Sequence, residues 1–349
     1  MPKVQAWGAP AAGQPLEAMT IDRREPGPHD VVLDVLFCGV CHSDIHQARD
    51  EWSGGIFPMV PGHEIVGRVA RLGGEVTGFK VGDLAGVGCM VDSCRACNPC
   101  KEHVEQFCEK GNAPTYNGTE MDRKTLTYGG YSSQLVVDAR YALRVPAGLD
   151  PAAAAPLLCA GITTYSPLRQ CGCKPGDHVG VVGLGGLGHM AVKLAVSMGA
   201  KVTVLSTSAS KEEDARRLGA TGFVVTKDEA ALKQLAGQLD LIIDTVSAPH
   251  DYNTYLGLLR SRGTMALVGA PATPMPLHAF SLILGGKRLL GSVIGGIAET
   301  QEMLDHCAQH GIVSDVEIIP IQKINEAYER VLKSDVRYRF VIDMASLKA

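Results

Sequence analysis

From His178 onward the chain repeats one alternation that few folds accept: short apolar runs separated by stretches of helical periodicity. The runs are His178–Gly183, Lys201–Ser206, Gly222–Thr226, Leu239–Thr245, Thr264–Gly269 and Leu289–Ile294. Strands joined through helices need crossover connections, so they pair in parallel and are buried on both faces. Sustained over about 120 residues, the pattern predicts a doubly wound parallel sheet, an α/β architecture. The stretch His178 to Ala200 is apolar enough to suggest a membrane span. Its glycines, with His189 and Lys193, divide it instead into a short strand and a helix.

A length of 349 residues suggests about two domains. The first 145 residues or so read as β-rich, with Val31 to Phe37 and Ile65 to Leu72 as strands and Pro26-Gly27-Pro28 and Val81-Gly82-Asp83 as joints. The texture changes at Asp150-Pro151, a capping aspartate and a first-turn proline before an alanine run. After the sixth apolar run a helix from about Gln322 to Leu332 carries Ile324, Ala327, Tyr328 and Val331 on one face. A strand, Arg339 to Asp343, follows. The expected organisation is therefore a β-rich domain over 1–150, a nucleotide-type domain over 151–295 and a return to the first domain over 296–349.

A net charge of −4 gives no basic surface for nucleic acid and no polybasic membrane anchor. Met1 to Pro10 lacks a charged segment followed by an apolar one, so a secretory signal is not expected. Eleven cysteines without such a signal point to a reducing compartment, the cytoplasm by default.

Four of those cysteines, Cys94, Cys97, Cys100 and Cys108, fall within fifteen residues. A C-x2-C-x2-C-x7-C run in a polar, turn-forming stretch supplies four thiolates to one tetrahedral zinc, and its spacing suits one ion better than two disulfides. A structural zinc lobe is expected over about 92–110. Cys171-Gly172-Cys173 has no further thiols to complete such a site.

Gly183-Leu184-Gly185-Gly186-Leu187-Gly188 is a G-x-G-x-x-G run directly after a strand and before a helix. Gly183 allows the tight turn, Gly185 lets backbone approach a pyrophosphate, and Gly188 lets helix and strand pack closely. The helix start offers free N–H groups to phosphate. An NAD site carries an acidic side chain about twenty residues on. Here the second strand ends in Ser206-Thr207-Ser208, with Lys211 following and no carboxylate at its tip. Hydroxyls and a lysine suit a 2′-phosphate, so NADP(H) is the expected cofactor. Ser210 and Glu213 read as a capping box, Arg216 and Arg217 as solvated helix charges.

A second metal constellation is less explicit. Cys41 and His63 stand at the ends of strand-like runs, and Cys159 lies in an apolar stretch. Two cysteines and one histidine make a three-ligand zinc site with an open position, a catalytic pattern. No spacing rule links such distant residues, and Cys159 reads more readily as a packed thiol in an apolar helix than as a ligand.

Taken together, Gly39-Val40-Cys41-His42-Ser43-Asp44, Gly62-His63-Glu64, the four-cysteine lobe, Cys159-Ala160-Gly161-Ile162-Thr163, Gly183 to Gly188, Gly269-Ala270-Pro271 and Tyr338-Arg339-Phe340-Val341 carry a resemblance over essentially the whole chain. It resembles the zinc-dependent medium-chain alcohol dehydrogenases, and within them the cinnamyl alcohol dehydrogenase branch, particularly its microbial NADPH-dependent aldehyde reductases. The resemblance implies a GroES-like catalytic domain beside a Rossmann domain, two zincs per chain and a homodimer. It implies a catalytic zinc on Cys41, His63 and Cys159, with Glu64 beside it as an outer neighbour or occasional ligand. Asp44 would orient the ligand histidine, Ser43 would hand a proton between substrate oxygen and cofactor ribose, and His46 would pass it towards solvent. His42 would lie near the pyrophosphate. Thr163, Thr245, Gly269, Ser292, Val293 and Ile294 would line the cofactor. Trp52 and Met90 match pocket positions, although core packing is an equal reading of both. Plant members tend to have tryptophan where this chain has Pro114, so a pocket wall differs and monolignols are not the expected substrates.

The function so implied is reversible, zinc-dependent reduction of aliphatic or aromatic aldehydes with NADPH. Two alternatives remain open: an NAD-dependent alcohol or polyol dehydrogenase of the same fold, and a non-catalytic nucleotide-binding protein.

Overall fold

The computed structural model describes residues 1–271 and 273–348, and the statements below concern those residues. Two compact units emerge, Met1–Cys159 with Gly295–Ala349, and Ala160–Ile294.

The first unit is built on a mostly antiparallel sheet. Its order is Leu143–Arg144, Leu84–Val87, Ile65–Leu72, Asp30–Gly39, Arg339–Asp343 and Val316–Pro320, with Gln134–Asp138 also pairing Asp30–Gly39. Val31, Val32, Leu33, Ile65, Val66 and Val69 are buried in its core. The returning segment is tied in by Val341 opposite Gly39 and Ile342 opposite Cys38. The unit continues past Asp150 to Cys159 because the next two turns pack on the same strands. Asp150 caps helix Pro151–Ala154 by accepting the Ala153 N–H at 2.9 Å, with Pro151 in the first turn. A tighter helical turn, Ala155–Leu158, then stops at Cys159.

In the second unit six parallel strands lie in the order third, second, first, fourth, fifth, sixth. This is the doubly wound arrangement expected from the alternation, with its switch point between His178–Val182 and Leu239–Asp244. Val179, Val181, Val202, Val204, Ile242 and Ile243 are buried, as strands covered on both faces require. The fifth strand begins at Leu259, before the expected Thr264. Arg260, Ser261 and Arg262 are exposed there, so no apolar run marks the extension. Pairing is irregular in this stretch: Leu239 faces Leu259, but Leu241 already faces Thr264.

The sixth strand closes at Gly291, leaving Ser292, Val293 and Ile294 just beyond it. The expected capping box at Ser210 and Glu213 is not formed. Ser210 lies within a tight turn, Ala209–Lys211, and its hydroxyl pairs with Ser208 Oγ at 2.8 Å, so the helix starts at Glu212 instead. No helix is long and apolar enough to cross a membrane.

Candidate active site

Four side chains of the first unit bring their ligand atoms within 4.8 Å of one another: Cys41, His63, Glu64 and Cys159. Each is delivered by the end of a regular element. Cys41 caps helix His42–Ala48. His63 and Glu64 immediately precede strand Ile65–Leu72. Cys159 stands at the break between Ala155–Leu158 and helix Ala160–Gln170, with φ −128° and ψ −68°. It is therefore not inside an apolar helix, and the break turns its thiol towards Cys41, whose sulfur is 3.9 Å away.

That separation can be tested against an ion. Thiolates about 2.3 Å from a tetrahedral zinc stand about 3.8 Å apart, so the pair has the spacing the metal needs. Asp44 organises the rest. Fully buried, it accepts N–H groups from Cys41 at 2.9 Å and Gly62 at 3.1 Å, and Tyr131 Oη donates to it at 3.3 Å. His63 Nδ1 lies 3.1 Å from Asp44 Oδ1. An Nδ1–H given to this carboxylate leaves Nε2 as the lone-pair donor for a cation. Burial opposes charge on His63, but Asp44 holds it well above the ordinary histidine range. Cys41 is drawn well below the usual thiol range, first by the hydrogen bond from Cys159, while Cys159 is pushed up by the same contact. One thiolate and one thiol thus share the position that a divalent cation would convert into two thiolates.

Two neighbours were not legible in the sequence. Arg339 Nη2 pairs with Glu64 Oε1 at a site where both side chains are almost wholly buried. The other oxygen, Oε2, is buried without a hydrogen-bond partner, which fits a carboxylate reserved for a cation. Burial pushes the Glu64 carboxyl up to about 8 despite Arg339. A lone arginine in an otherwise apolar strand was the available signal. Cys89, unassigned from sequence, lies beside the cluster, and its thiol is lowered chiefly by a hydrogen bond with Cys159.

Ser43 and His46 share the helix His42–Ala48 with the cap Cys41. Ser43 Oγ is 3.0 Å from Cys41 Sγ. His46 Nδ1 pairs with Glu51 Oε2, and its ring stacks on Trp52 with centroids 5.0 Å apart. Trp52 is 56% exposed and so is not packed in a core, whereas Met90 is only 3% exposed. His42, on the same helix, is exposed.

The cysteine lobe forms a second cluster. Cys94, Cys97, Cys100 and Cys108 have all four sulfurs within 4.8 Å of one another, and none forms a disulfide. Sulfur separations of 3.4 to 4.0 Å again match a tetrahedron around one ion. The N–H of Cys97 points at Cys94 Sγ, that of Cys94 at Cys108 Sγ, and the Ser93 hydroxyl lies 3.1 Å from Cys100 Sγ. These contacts orient thiolates as outer neighbours of a metal do. Backbone N–H groups of Ala96 and Cys97 bring the Cys94 thiol down to about 6, while burial pushes Cys100 up to about 12.

In the second unit Gly183 turns with φ 87°, a conformation glycine adopts freely. A Cβ on Gly188 would lie 2.1 Å from Gly183 O, whereas one on Gly185 would meet nothing within 4 Å. Tight packing at one glycine and open space at the other fit a cradle for a pyrophosphate. Leu184, Gly186 and Leu187 complete the loop, and Thr245 Oγ1 donates to Val182 O at 2.7 Å below it. At the tip of the second strand the Ser206 hydroxyl accepts the Ser208 N–H at 3.2 Å, with Thr207 between them exposed and Lys211 one turn on. Thr163 is buried in helix Ala160–Gln170, and a Cβ on Gly269 would lie 2.3 Å from Val246 O.

Comparison with known proteins agrees with both units. Residues 27–147 match the alcohol dehydrogenase GroES-like domain, and residues 186–309 match the zinc-binding dehydrogenase family. An NADP-dependent alcohol dehydrogenase C 1 of Mycolicibacterium smegmatis is 56% identical over all of both chains. An aldehyde reductase of Escherichia coli is 53% identical over 99% of both. Among solved structures, a cinnamyl alcohol dehydrogenase of Sorghum bicolor superposes with a TM-score of 0.96 at 47% identity, covering 99% of this chain and 98% of that one. A Helicobacter pylori homologue solved with NADP(H) gives 0.92 at 43% identity, covering 98% of each chain.

Proposed function

The chain belongs to the zinc-binding alcohol dehydrogenase family, and from that premise we propose that it reduces aldehydes to primary alcohols with NADPH, reversibly. The observation that carries the reading is the cluster of Cys41, His63, Glu64 and Cys159 around one point, with Asp44 holding the histidine from behind. When bound there, zinc supplies Lewis acidity to a carbonyl oxygen, and NADPH supplies the hydride. With Cys41, His63 and Cys159 as its ligands and Glu64 as an outer neighbour, the zinc would keep its fourth position for substrate or water.

The residues of the chain do the remaining work. Asp44 fixes the imidazole so that its lone pair faces the ligand cluster. Arg339 offsets the negative charge that Glu64 takes on when ionised, beside the two thiolates. The Ser43 hydroxyl, next to Cys41, would give a proton to the product oxygen. His46, held by Glu51 and half-buried, would replace that proton from solvent. The carboxylate-free tip Ser206-Thr207-Ser208 and Lys211 would receive the 2′-phosphate, and Gly185 the pyrophosphate. His42 would support the pyrophosphate, and Thr163, Thr245, Gly269, Ser292, Val293 and Ile294 would line the cofactor.

The four-cysteine lobe holds a second, structural zinc in this reading, and the abundance of uncoupled thiols suits the cytoplasm. A homodimer is part of the proposal: Phe280, Ile283, Leu284 and Val293 are exposed next to the edge strand Arg288–Gly291, a place where a second copy would cover apolar surface. Light scattering on the purified chain tests it. The reaction itself is tested by following NADPH oxidation over aliphatic, aromatic and cinnamyl aldehydes, with NADH in parallel. Turnover of at least one class with NADPH preferred supports the reading; turnover with NADH alone assigns the chain to the NAD-dependent alternative.

A further inference from the structure

The second unit contains a buried polar pair that the reaction described above does not use. His250 Nε2 lies 2.8 Å from Asp244 Oδ2, and His250 Nδ1 lies 2.8 Å from the carbonyl oxygen of Ala248. Both partners of the ring are acceptors. A neutral imidazole carries one N–H and can satisfy one of them. Both bonds exist together when ring and carboxyl hold two protons between them, as imidazolium with carboxylate or as neutral ring with a protonated carboxyl. The Asp244 side chain is nearly fully buried, and its other oxygen accepts the Val246 N–H at 3.1 Å. Burial raises the Asp244 carboxyl above its ordinary range, which favours retention of the second proton. The ring packs on Tyr252 and Tyr255, with centroids 4.2 and 5.5 Å away.

The segment tied down in this way abuts the glycine loop. A Cβ on Gly183 would meet Val246 Cγ2 at 2.8 Å and Thr245 Oγ1 at 3.0 Å, and one on Gly269 would meet Val246 O at 2.3 Å. Val246 is thus the wall against which both glycines rest, with Thr245 beside it at Gly183, and the His250 bridge closes the chain just after that wall. We propose that His250 is a positioning residue for the dinucleotide: by bridging Asp244 and Ala248 it fixes the wall behind the glycine loop, and loss of the shared proton as pH rises loosens that wall and weakens coenzyme binding. The proposal rests on the reading of this unit as the NADPH site.

The other titratable groups facing the ring come from the capped helix Tyr252–Leu258. Asp251 is lowered, first by its bond from Thr254, and stays ionised. Tyr252 and Tyr255 are raised by burial and stay protonated. The raised Asp244 sets the sign: affinity is full at lower pH and declines as pH rises.

NADPH fluorescence titration of the zinc-loaded, full-length protein over a pH series running from mildly acidic to alkaline tests this. The wild type is expected to bind about tenfold more weakly at the alkaline end. His250→Phe keeps the ring packing and removes both donors. It should bind about tenfold more weakly already at the acidic end of the series, with the loss in KM for NADPH more than in kcat and with zinc content retained. Asp244→Asn is the diagnostic variant. Its carboxamide oxygen accepts from Val246 and its N–H donates to a neutral ring, so the assembly is complete without the extra proton and affinity should hold as pH rises. An Asp244→Asn protein that keeps the wild-type pH slope, or a His250→Phe protein that binds as the wild type does, overturns the proposal. Should His250→Phe fail to fold, the Asp244→Asn slope decides. A wild type that binds no NADPH at any pH rejects the coenzyme reading itself, and the proposal with it.

Discussion

The chain builds two sulfur clusters of similar size by opposite means. In the lobe, Cys94, Cys97, Cys100 and Cys108 come from one short excursion, oriented by neighbouring backbone N–H groups. At the other cluster, Cys41 and Cys159 are 118 residues apart and meet because a sheet, a helix cap and a helix break place them. The first resembles a local knot that a metal can close; the second is a product of the whole unit. A metal is therefore expected to hold the fold of the lobe, whereas the fold is expected to hold the metal at the second cluster.

Substitutions break the comparison in different ways. The largest effect is expected for Cys41→Ala. Removing a ligand from the long-range cluster should lower turnover about a thousandfold or more, since the Lewis acid is worth several kcal/mol. Circular dichroism should remain that of the wild type, because Asp44, Tyr131 and Gly62 keep their own contacts. Cys97→Ser should do the reverse and lower the melting temperature by about 10 °C through loss of the structural ion, with activity falling as the protein unfolds. If instead Cys97→Ser leaves the melting curve unchanged, the lobe does not depend on its metal.

Next in size is Asp44→Asn, expected to lower zinc affinity or activity about 10- to 100-fold, the usual cost of losing an outer partner of a ligand histidine. Zinc release to a chelator measures it directly, and an unchanged release rate would leave His63 oriented by something else. The smallest effect is expected for Ser206→Asp in the other unit, about a tenfold rise in KM for NADPH through repulsion of the 2′-phosphate. Zinc content should not change. An unaltered NADPH-to-NADH preference would place the phosphate elsewhere than this strand tip.

The same contrast explains what could be read from the sequence. The lobe is legible because all four ligands and their turns sit in one window, and the parallel sheet because buried strands repeat along the chain. Where polarity and structure part company, the reading slips. The strand from Leu259 hides behind exposed Arg260 and Arg262, and Ser210, although spaced as a cap, spends its hydroxyl on Ser208. Cys159 carries no local mark as a ligand, since its role depends on a backbone break that an apolar stretch does not announce. Its assignment to the catalytic zinc came from resemblance across several motifs. Arg339 fell within a motif of the resemblance but was given no role, because a buried ion pair between residues 275 apart leaves no spacing to detect, and Cys89 fell in no motif.

The most direct measurement is zinc content together with NADPH-dependent aldehyde reduction, made on the same samples of wild type and Cys159→Ala. The account expects two zincs per chain and turnover in the wild type, and one zinc, an intact fold and no turnover above background in the variant. A Cys159→Ala protein that reduces aldehyde at the wild-type rate, or a wild type that turns over with no metal bound, would contradict it.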